Sequence, residues 1–240
     1  MFEILFKDDE LVGINKPAGM LVHRSNIDKH ETRFVLQELR NQLGQHVFPV
    51  HRLDKPTSGV LLFALNSDCA RQLSEQFTAN QIDKRYWLVC RGHTPEKGEI
   101  DYALVPKNDF KSRDGKPEVK KPAQEARTLY SSKAHYELDE SVDKYPTSRY
   151  SWVEAQLVTG RKHQLRRHFK HIAHPIVGDS RYGKASHNQF FERKWACSRM
   201  LLHCYSMGFT LPATGQQLHL IAPPDEQFMA ALKGLEGYRL

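Results

Sequence analysis

Several large protein classes are excluded by what this chain does not contain. No apolar stretch approaches the roughly 20 residues needed to cross a bilayer. The segment Met1-Phe2-Glu3-Ile4-Leu5-Phe6-Lys7-Asp8-Asp9-Glu10 has neither the basic start nor the long apolar centre of a secretory signal. Four cysteines, Cys69, Cys90, Cys197 and Cys204, are scattered without a CxxC pair. With no secretion signal they read as reduced thiols, and a cytoplasmic location is expected. No Walker loop, GxGxxG or HExxH string occurs, so nucleotide, dinucleotide and zincin sites lack their signatures. Ser58 precedes Gly59 but stands in no GxSxG elbow, which leaves a serine hydrolase unsupported. No repeat or low-complexity segment is visible, and no cofactor is implied.

What is present fits an ordinary globular protein: 40% hydrophobic and 26% charged residues over 240 positions, enough for a proper core. One domain is expected, with a monomer as the default and no membrane partner. The net charge of +7 says little about partners on its own, but its distribution says more. Residues 161–171 hold Arg161, Lys162, Arg166, Arg167 and Lys170 with three histidines and no acid. A solvated helix face is the plain reading of such a block. An unneutralised one is nevertheless costly unless an anion lies beside it. His163, His168 and His171 have no acidic or cysteine companion nearby, so no metal is expected. Histidines mixed with Arg and Lys suit an RNA-facing surface better.

Residues 2–6 and 11–15 read as strands, followed by a turn at Lys16-Pro17-Ala18-Gly19. Phe34 to Leu43 carries Val35, Leu36, Leu39 and Leu43 at helical spacing and stops at Gly44. Asp68 to Ala79 places Ala70, Leu73 and Phe77 on one face, with Ser67 as the expected N-cap. Further strands are expected at 82–91, 148–158, 200–211 and 217–221, and a closing helix at 226–235. The basic segment 161–173 reads as a helix with Leu165, Phe169 and Ile172 turned inward. Residues 106–127, polar and rich in Lys, Pro and Asp, read as a long exposed loop. Residues 178–195, poor in aliphatics, read as a mobile insertion. Strands outnumber helices and come mostly in consecutive runs. The expected class is α+β, with a mixed, largely antiparallel sheet flanked by helices and loops.

The most informative string is His51-Arg52-Leu53-Asp54-Lys55-Pro56-Thr57-Ser58-Gly59-Val60. It sets one carboxylate between two cations, ahead of a Pro/Ser/Gly turn that opens onto Val60-Leu61-Leu62-Phe63-Ala64. That short apolar run reads as a buried strand, which puts Asp54 at the rim of a sheet. Arg52 and Lys55 would favour its ionised form. A carboxylate held there can be a nucleophile, a base or a metal ligand.

Taken in order, six strings resemble the RluA-type family of pseudouridine synthases over nearly the whole chain. They are Asn15-Lys16-Pro17-Ala18-Gly19 with Val22-His23, then His51-Arg52-Leu53-Asp54 with Thr57-Ser58-Gly59, and Lys84-Arg85-Tyr86. Thr159-Gly160-Arg161-Lys162-His163-Gln164-Leu165-Arg166 with His168 follows. Last come His174-Pro175-Ile176-Val177-Gly178-Asp179 with Tyr182-Gly183, and Arg199 with Leu202-His203. Cys204 departs from the usual alanine at that point, a small change expected to matter little. Gly44-Gln45-His46-Val47-Phe48, Pro56 and Tyr145-Pro146-Thr147-Ser148-Arg149-Tyr150 resemble the tRNA-directed branch. With the first family-like segment beginning by residue 11, no N-terminal S4-like RNA-binding domain is expected.

The resemblance implies the pseudouridine synthase fold and isomerisation of a uridine already in RNA, with position 65 of tRNA as the implied target. The N-glycosidic bond breaks, the base turns and a C–C bond forms, without redox or phosphate transfer. Asp54 would be the nucleophile or would assist the cleavage and proton transfers. Arg166 would pair with it, and Tyr86 would lie against the base, with Leu202 on the base's other side. Arg52, with His51 beside it, would fill the space the extruded base leaves. Arg161, Lys162, Arg167 and Lys170 would contact phosphates. A ribosomal-RNA enzyme of the same family is the first alternative. The other is a non-catalytic RNA-binding module, which has no use for a carboxylate facing phosphates.

Overall fold

The computed structural model describes residues 1–24, 31–106 and 121–240. In chain order the strands are β1 (Glu3–Lys7), β2 (Leu11–Lys16), β3 (Phe48–Pro49), β4 (Ser58–Ala64), β5 (Asp83–Arg91), β6 (Lys97–Asp101), β7 (Arg127–Leu138), β8 (Ser148–Leu157), β9 (Leu202–Thr210) and β10 (Gln217–Ile221). The helices are α1 (Val35–Leu43), α2 (Ser67–Thr78), α3 (Gln164–His171), α4 (Ala185–Trp195) and α5 (Glu226–Glu236). All ten strands join one sheet, in the order β1-β2-β4-β9-β5-β8-β7-β6, with β10 on β9 and β3 on β4. Every pairing is antiparallel except β4 with β9, where Ser58 faces His203 and Gly59 faces Cys204. This is the mixed, largely antiparallel α+β sheet expected from the sequence.

The β4 strand is buried at all seven positions, as the apolar run Val60–Ala64 requires, with Ser58 at its start the one polar side chain. Gly59 has φ +111°, and a Cβ there would lie 2.1 Å from the Cys204 carbonyl oxygen, so only glycine lets the two strands meet. Along β5 the side chains alternate. Tyr86, Leu88 and Cys90 join the core that holds Leu165 and Phe169 of α3, while Trp87 and Val89 join a second core against α4 and α5. The two sides of the sheet are thus covered by different helices.

The structure departs from the sequence expectations at several elements. Asn66, not Ser67, caps α2, its side chain accepting from the Cys69 N–H at 2.8 Å. The basic helix is shorter than 161–173, because His163 adopts a left-handed conformation (φ 55°) just before α3 begins. Residues 185–195 form a packed helix, not a mobile insertion. Its apolar face is aromatic, with Phe190 and Phe191 buried against Tyr150 and Trp195. Strands β6 and β7 were not anticipated. In β7 the alternation of Thr128, Tyr130, Ala134, Tyr136 and Leu138 is broken by a bulge between Ser132 and Ala134. Of the expected loop at 106–127, residues 107–120 lie outside the described residues, and Arg127 already belongs to β7.

Candidate active site

Asp54 stands in a tight turn closed by the Thr57 N–H donating to the Asp54 carbonyl at 3.0 Å. That turn is clasped from the other side by the end of β2. Lys16 is fully buried, and its ammonium donates to the carbonyls of Pro17 (2.9 Å), Lys55 (3.2 Å) and Thr57 (2.8 Å). Burial, with the nearby charge of Arg199, pulls its pKa down to about 7, while Asp54 works in the opposite direction. A second clasp fixes where the turn enters β4. The Ser58 hydroxyl contacts His203 Nδ1 at 2.7 Å and accepts from Arg199 at 2.8 Å, and His203 Nε2 lies 2.9 Å from the Ala222 carbonyl.

The partners of Asp54 come from across the sheet. Arg166 Nη1 donates to Asp54 Oδ2 at 3.1 Å, and His163 Nε2 lies 3.7 Å from Oδ1. Lys55, expected beside the carboxylate, instead pairs with Glu31 at 2.7 Å. Arg166 is itself gripped by a buried carboxylate: Nε and Nη2 donate to Asp179 Oδ2 and Oδ1 at 2.7 and 2.9 Å. Asp179 Oδ1 also accepts from the backbone N–H of Arg181 (2.9 Å) and Tyr182 (3.0 Å). Burial opposes ionisation of Asp179, but the Arg166 hydrogen bonds, its charge and the two backbone donors hold the carboxyl below its usual range. Burial likewise opposes the Arg166 charge, and Asp179 with Asp54 more than offsets it. The Tyr182 ring lies 5.1 Å from the guanidinium, and its hydroxyl lies 3.1 Å from His163 Nδ1. Burial drives the His163 pKa down to about 4 against the pull of Asp54.

A cavity of about 310 Å³ opens over this constellation. Asp54, Arg52, His51, Tyr86, Leu202, Arg161 and Arg166, all expected at the site, line it together. Tyr86 is 6% exposed; burial first, then Cys204 and Asp54, push its pKa well above the usual range, so the hydroxyl stays protonated. Cys204, the residue expected to matter little, is thus one of the groups that act on the Tyr86 hydroxyl, while its own thiol donates to the Ser206 carbonyl at 3.9 Å. His51 is committed locally. Its Nε2 accepts from the Leu62 N–H at 2.9 Å, its ring stacks on Phe77, and burial pulls its pKa to about 3.

Of the other basic residues, Arg161 is exposed with its Nε donating to the Glu125 carbonyl at 2.9 Å. Lys162 is half-buried near Arg52 and Asp54. Arg167 and Lys170 do not line the cavity; the first is half-buried and the second exposed. The histidines of the basic segment are not a uniform RNA-facing row. His168 is fully buried, between Thr128 Oγ1 (3.0 Å) and the Tyr102 carbonyl (3.1 Å). The neutralising acids of this block, Asp54 and Asp179, lie 112 and 13 residues away from Arg166 in the chain.

Lys16, His163 and Asp179 therefore belong to the site although no role was assigned to them from sequence. All three sit inside the recognised strings, which was the available signal. Chemically, the arrangement offers one carboxylate with Oδ2 held by a guanidinium, and Oδ1 with no hydrogen bond among the described residues. An aromatic face and a leucine flank it. Among the described residues no three His, Cys, Asp or Glu side chains converge as metal ligands.

Residues 10–171 match the family model described as RNA pseudouridylate synthase. The tRNA pseudouridine synthase C of Haemophilus ducreyi is 52% identical over 227 residues, covering 94% of this chain and 92% of that protein. The protein of the same name from Vibrio vulnificus is 48% identical, covering 98% and 96%. Among solved structures, human RNA pseudouridylate synthase domain containing 4 superposes with a TM-score of 0.70 at 26% identity, over 97% of this chain and 92% of that one.

Proposed function

The chain belongs to the RNA pseudouridylate synthase family, and on that premise we propose that it isomerises a uridine of tRNA, with Asp54 as the attacking carboxylate. The observation that carries this reading is the Asp54–Arg166–Asp179 relay at the floor of a cavity flanked by Tyr86 and Leu202. A single ionised carboxylate suits attack on the uridine, at the sugar or at the base, because either route needs one negatively charged nucleophile or acid–base partner and no redox group. Fixing Oδ2 on Arg166 leaves Oδ1 to face the substrate. Tyr86, protonated and buried, presents a ring face to the base rather than a phenolate. Leu202 closes the other side.

The uridine must leave its stack to reach this depth, at a cost of a few kcal/mol. Arg52, exposed at the rim, fills the gap it leaves, and His51 holds the Arg52 loop against β4. Arg161 and Lys162 at the mouth, with Arg167 and Lys170 further along α3, meet phosphates. The tRNA substrate is supported by the near full-length relatives named tRNA pseudouridine synthase C and by the strings that mark that branch. We read the chain as one catalytic unit acting as a monomer in the cytoplasm.

The test is chemical mapping of pseudouridines in total RNA from cells lacking the protein, complemented with wild type or Asp54→Asn. One tRNA pseudouridine, at position 65 on the sequence resemblance, is expected to vanish and to return only with wild type. Purified Asp54→Asn is expected to bind tRNA almost as wild type does. Pseudouridine formed by that variant would remove the carboxylate from its role, and loss of a ribosomal-RNA site alone would favour the other substrate.

A further inference from the structure

A second cavity, of about 390 Å³, opens beyond the far end of α3, where Ala173 reaches its wall. The string 145–149, part of the segment that marks the tRNA-directed resemblance, forms one side of it. Arg91, Gly92, Asp143 and His187 complete the lining. Two features make this more than a crevice. His187 is 4% exposed, with Nδ1 2.8 Å from the Tyr150 hydroxyl, yet its Nε2 is buried with no hydrogen-bond partner among the described residues. Among the described residues it shares this state with Trp87 Nε1, His135 Nε2 and Trp152 Nε1, but His187 belongs to the wall of this cavity. The start of α4, in whose first turn His187 lies and whose N-cap position is Lys184, has no side-chain cap.

An anion of sorts already sits there. The Asp143 carboxylate is hydrogen-bonded by Lys184 and lies 3.7 Å from Arg91 Nη2. The chain thus seats one of its own carboxylates on two cations at a helix N-terminus, beside an orphaned imidazole nitrogen. A phosphate is the larger anion that suits the same donors, and it offers acceptor oxygens enough to reach His187 as well.

We propose that this cavity binds a backbone phosphate of the substrate RNA, which displaces Asp143 from Arg91 and Lys184 and accepts a hydrogen bond from His187 Nε2. The proposal rests on the reading of the protein as an RNA-modifying enzyme. Binding selects the tautomer in which the Tyr150 hydroxyl donates to Nδ1, leaving the proton on Nε2. Tyr86 lines the first cavity and Arg91 the second; they stand roughly 17 Å apart along β5 at about 3.3 Å per residue, and their side chains leave opposite faces of the sheet. A phosphate held there lies several nucleotides from the reacting uridine. It therefore senses the shape of the RNA around the target and contributes to the choice of RNA.

Arg91→Gln and Asp143→Asn both break the same internal ion pair, so a purely structural cavity responds to them alike. An anion site does not. Binding of unfractionated tRNA is measured by fluorescence anisotropy across a salt series, with thermal melting to confirm folding. Arg91→Gln is expected to weaken binding about tenfold and to flatten the slope of log K against log salt by about 0.7 to 0.9. Asp143→Asn, which removes the competing carboxylate, is expected to tighten binding. Equal effects of the two substitutions, or none, overturn the proposal.

Inorganic phosphate separates the two sources of the anion, followed through the ¹⁵N shift of His187. A response to phosphate together with tRNA affinities that are the same in both variants means a free-anion site and overturns the RNA assignment. Because binding is read directly, divergence of the two variants supports the cavity even where no pseudouridine forms, a result that counts only against the reaction.

Discussion

A carboxylate proposed to attack cannot spend both oxygens on its neighbours, and Asp54 divides the conflict between them. Oδ2 is tied to Arg166 at 3.1 Å, while Oδ1 has the neutral ring of His163 3.7 Å away, beyond hydrogen-bonding range. The guanidinium can serve as a fixed peg only because Asp179 holds it by two hydrogen bonds from behind. Asp179→Asn removes that charge and leaves Arg166 buried on Asp54 alone. Breaking a buried pair in this way costs on the order of 3–5 kcal/mol of stability. Misplacing the peg is expected to lower the single-turnover rate by about 10- to 100-fold while tRNA affinity stays near wild type. Wild-type turnover in a folded Asp179→Asn protein would remove Asp179 from the positioning of the site. Asp54, Arg166 and Tyr86 were legible from their strings, but the Arg166–Asp179 grip was not. Nothing in linear order says which of several acids a buried arginine will meet, and two cations next to Asp54 in sequence, Arg52 and Lys55, point elsewhere in space.

At the scale of elements, each group of the candidate site is placed by a different piece of backbone. β4 begins directly after the Asp54 turn, β5 carries Tyr86, β9 carries Leu202, and the left-handed His163 starts α3 so that Arg166 falls one turn in. Elements with an aliphatic or strictly alternating pattern were readable. The core run of β4 and the Val35/Leu39 face of α1 are two of them. α4 was not, because its buried face is built from Phe190 and Phe191 with His187, and a search for aliphatic spacing passes over it. β7 was hidden by its serines and its bulge. The packing of α4 makes a prediction of its own. Phe191→Ala empties a fully buried site between Tyr150 and Trp195, and is expected to cost about 3–5 kcal/mol in a urea melt. A change below about 1 kcal/mol would mean that α4 is only loosely docked.

For the molecule as a whole, the histidines decide how stability follows pH, and in a different way from what their number suggests. A basic chain with thirteen histidines invites a reading in which they supply positive charge to RNA. Four of them are instead held neutral in the fold. Burial, first among the causes, brings His51 to about 3 and His163, His187 and His203 to about 4, against an ordinary value of 6.5. The unfolded chain therefore binds protons at these sites between roughly pH 6.5 and 4 that the folded chain does not. Each contributes stability that is complete above pH 6.5 and is lost as pH falls toward the folded value. Between pH 6.5 and 5 the loss is up to about 2 kcal/mol per histidine, at about 1.4 kcal/mol per unit. Lys16 extends the same slope upward: with a folded pKa near 7 against 10.5, it too binds its proton more readily in the unfolded chain, so stability continues to rise above neutrality. Against a typical total of about 5–15 kcal/mol, the histidine losses are large enough to bring acid unfolding on well before the carboxylates are all protonated. Urea melts at pH 7.5 and pH 5 are expected to differ by at least about 3 kcal/mol, with the lower stability at pH 5. Equal stabilities would mean that these rings are charged in the fold and that the basic face of the molecule is stronger than its lysines and arginines alone make it.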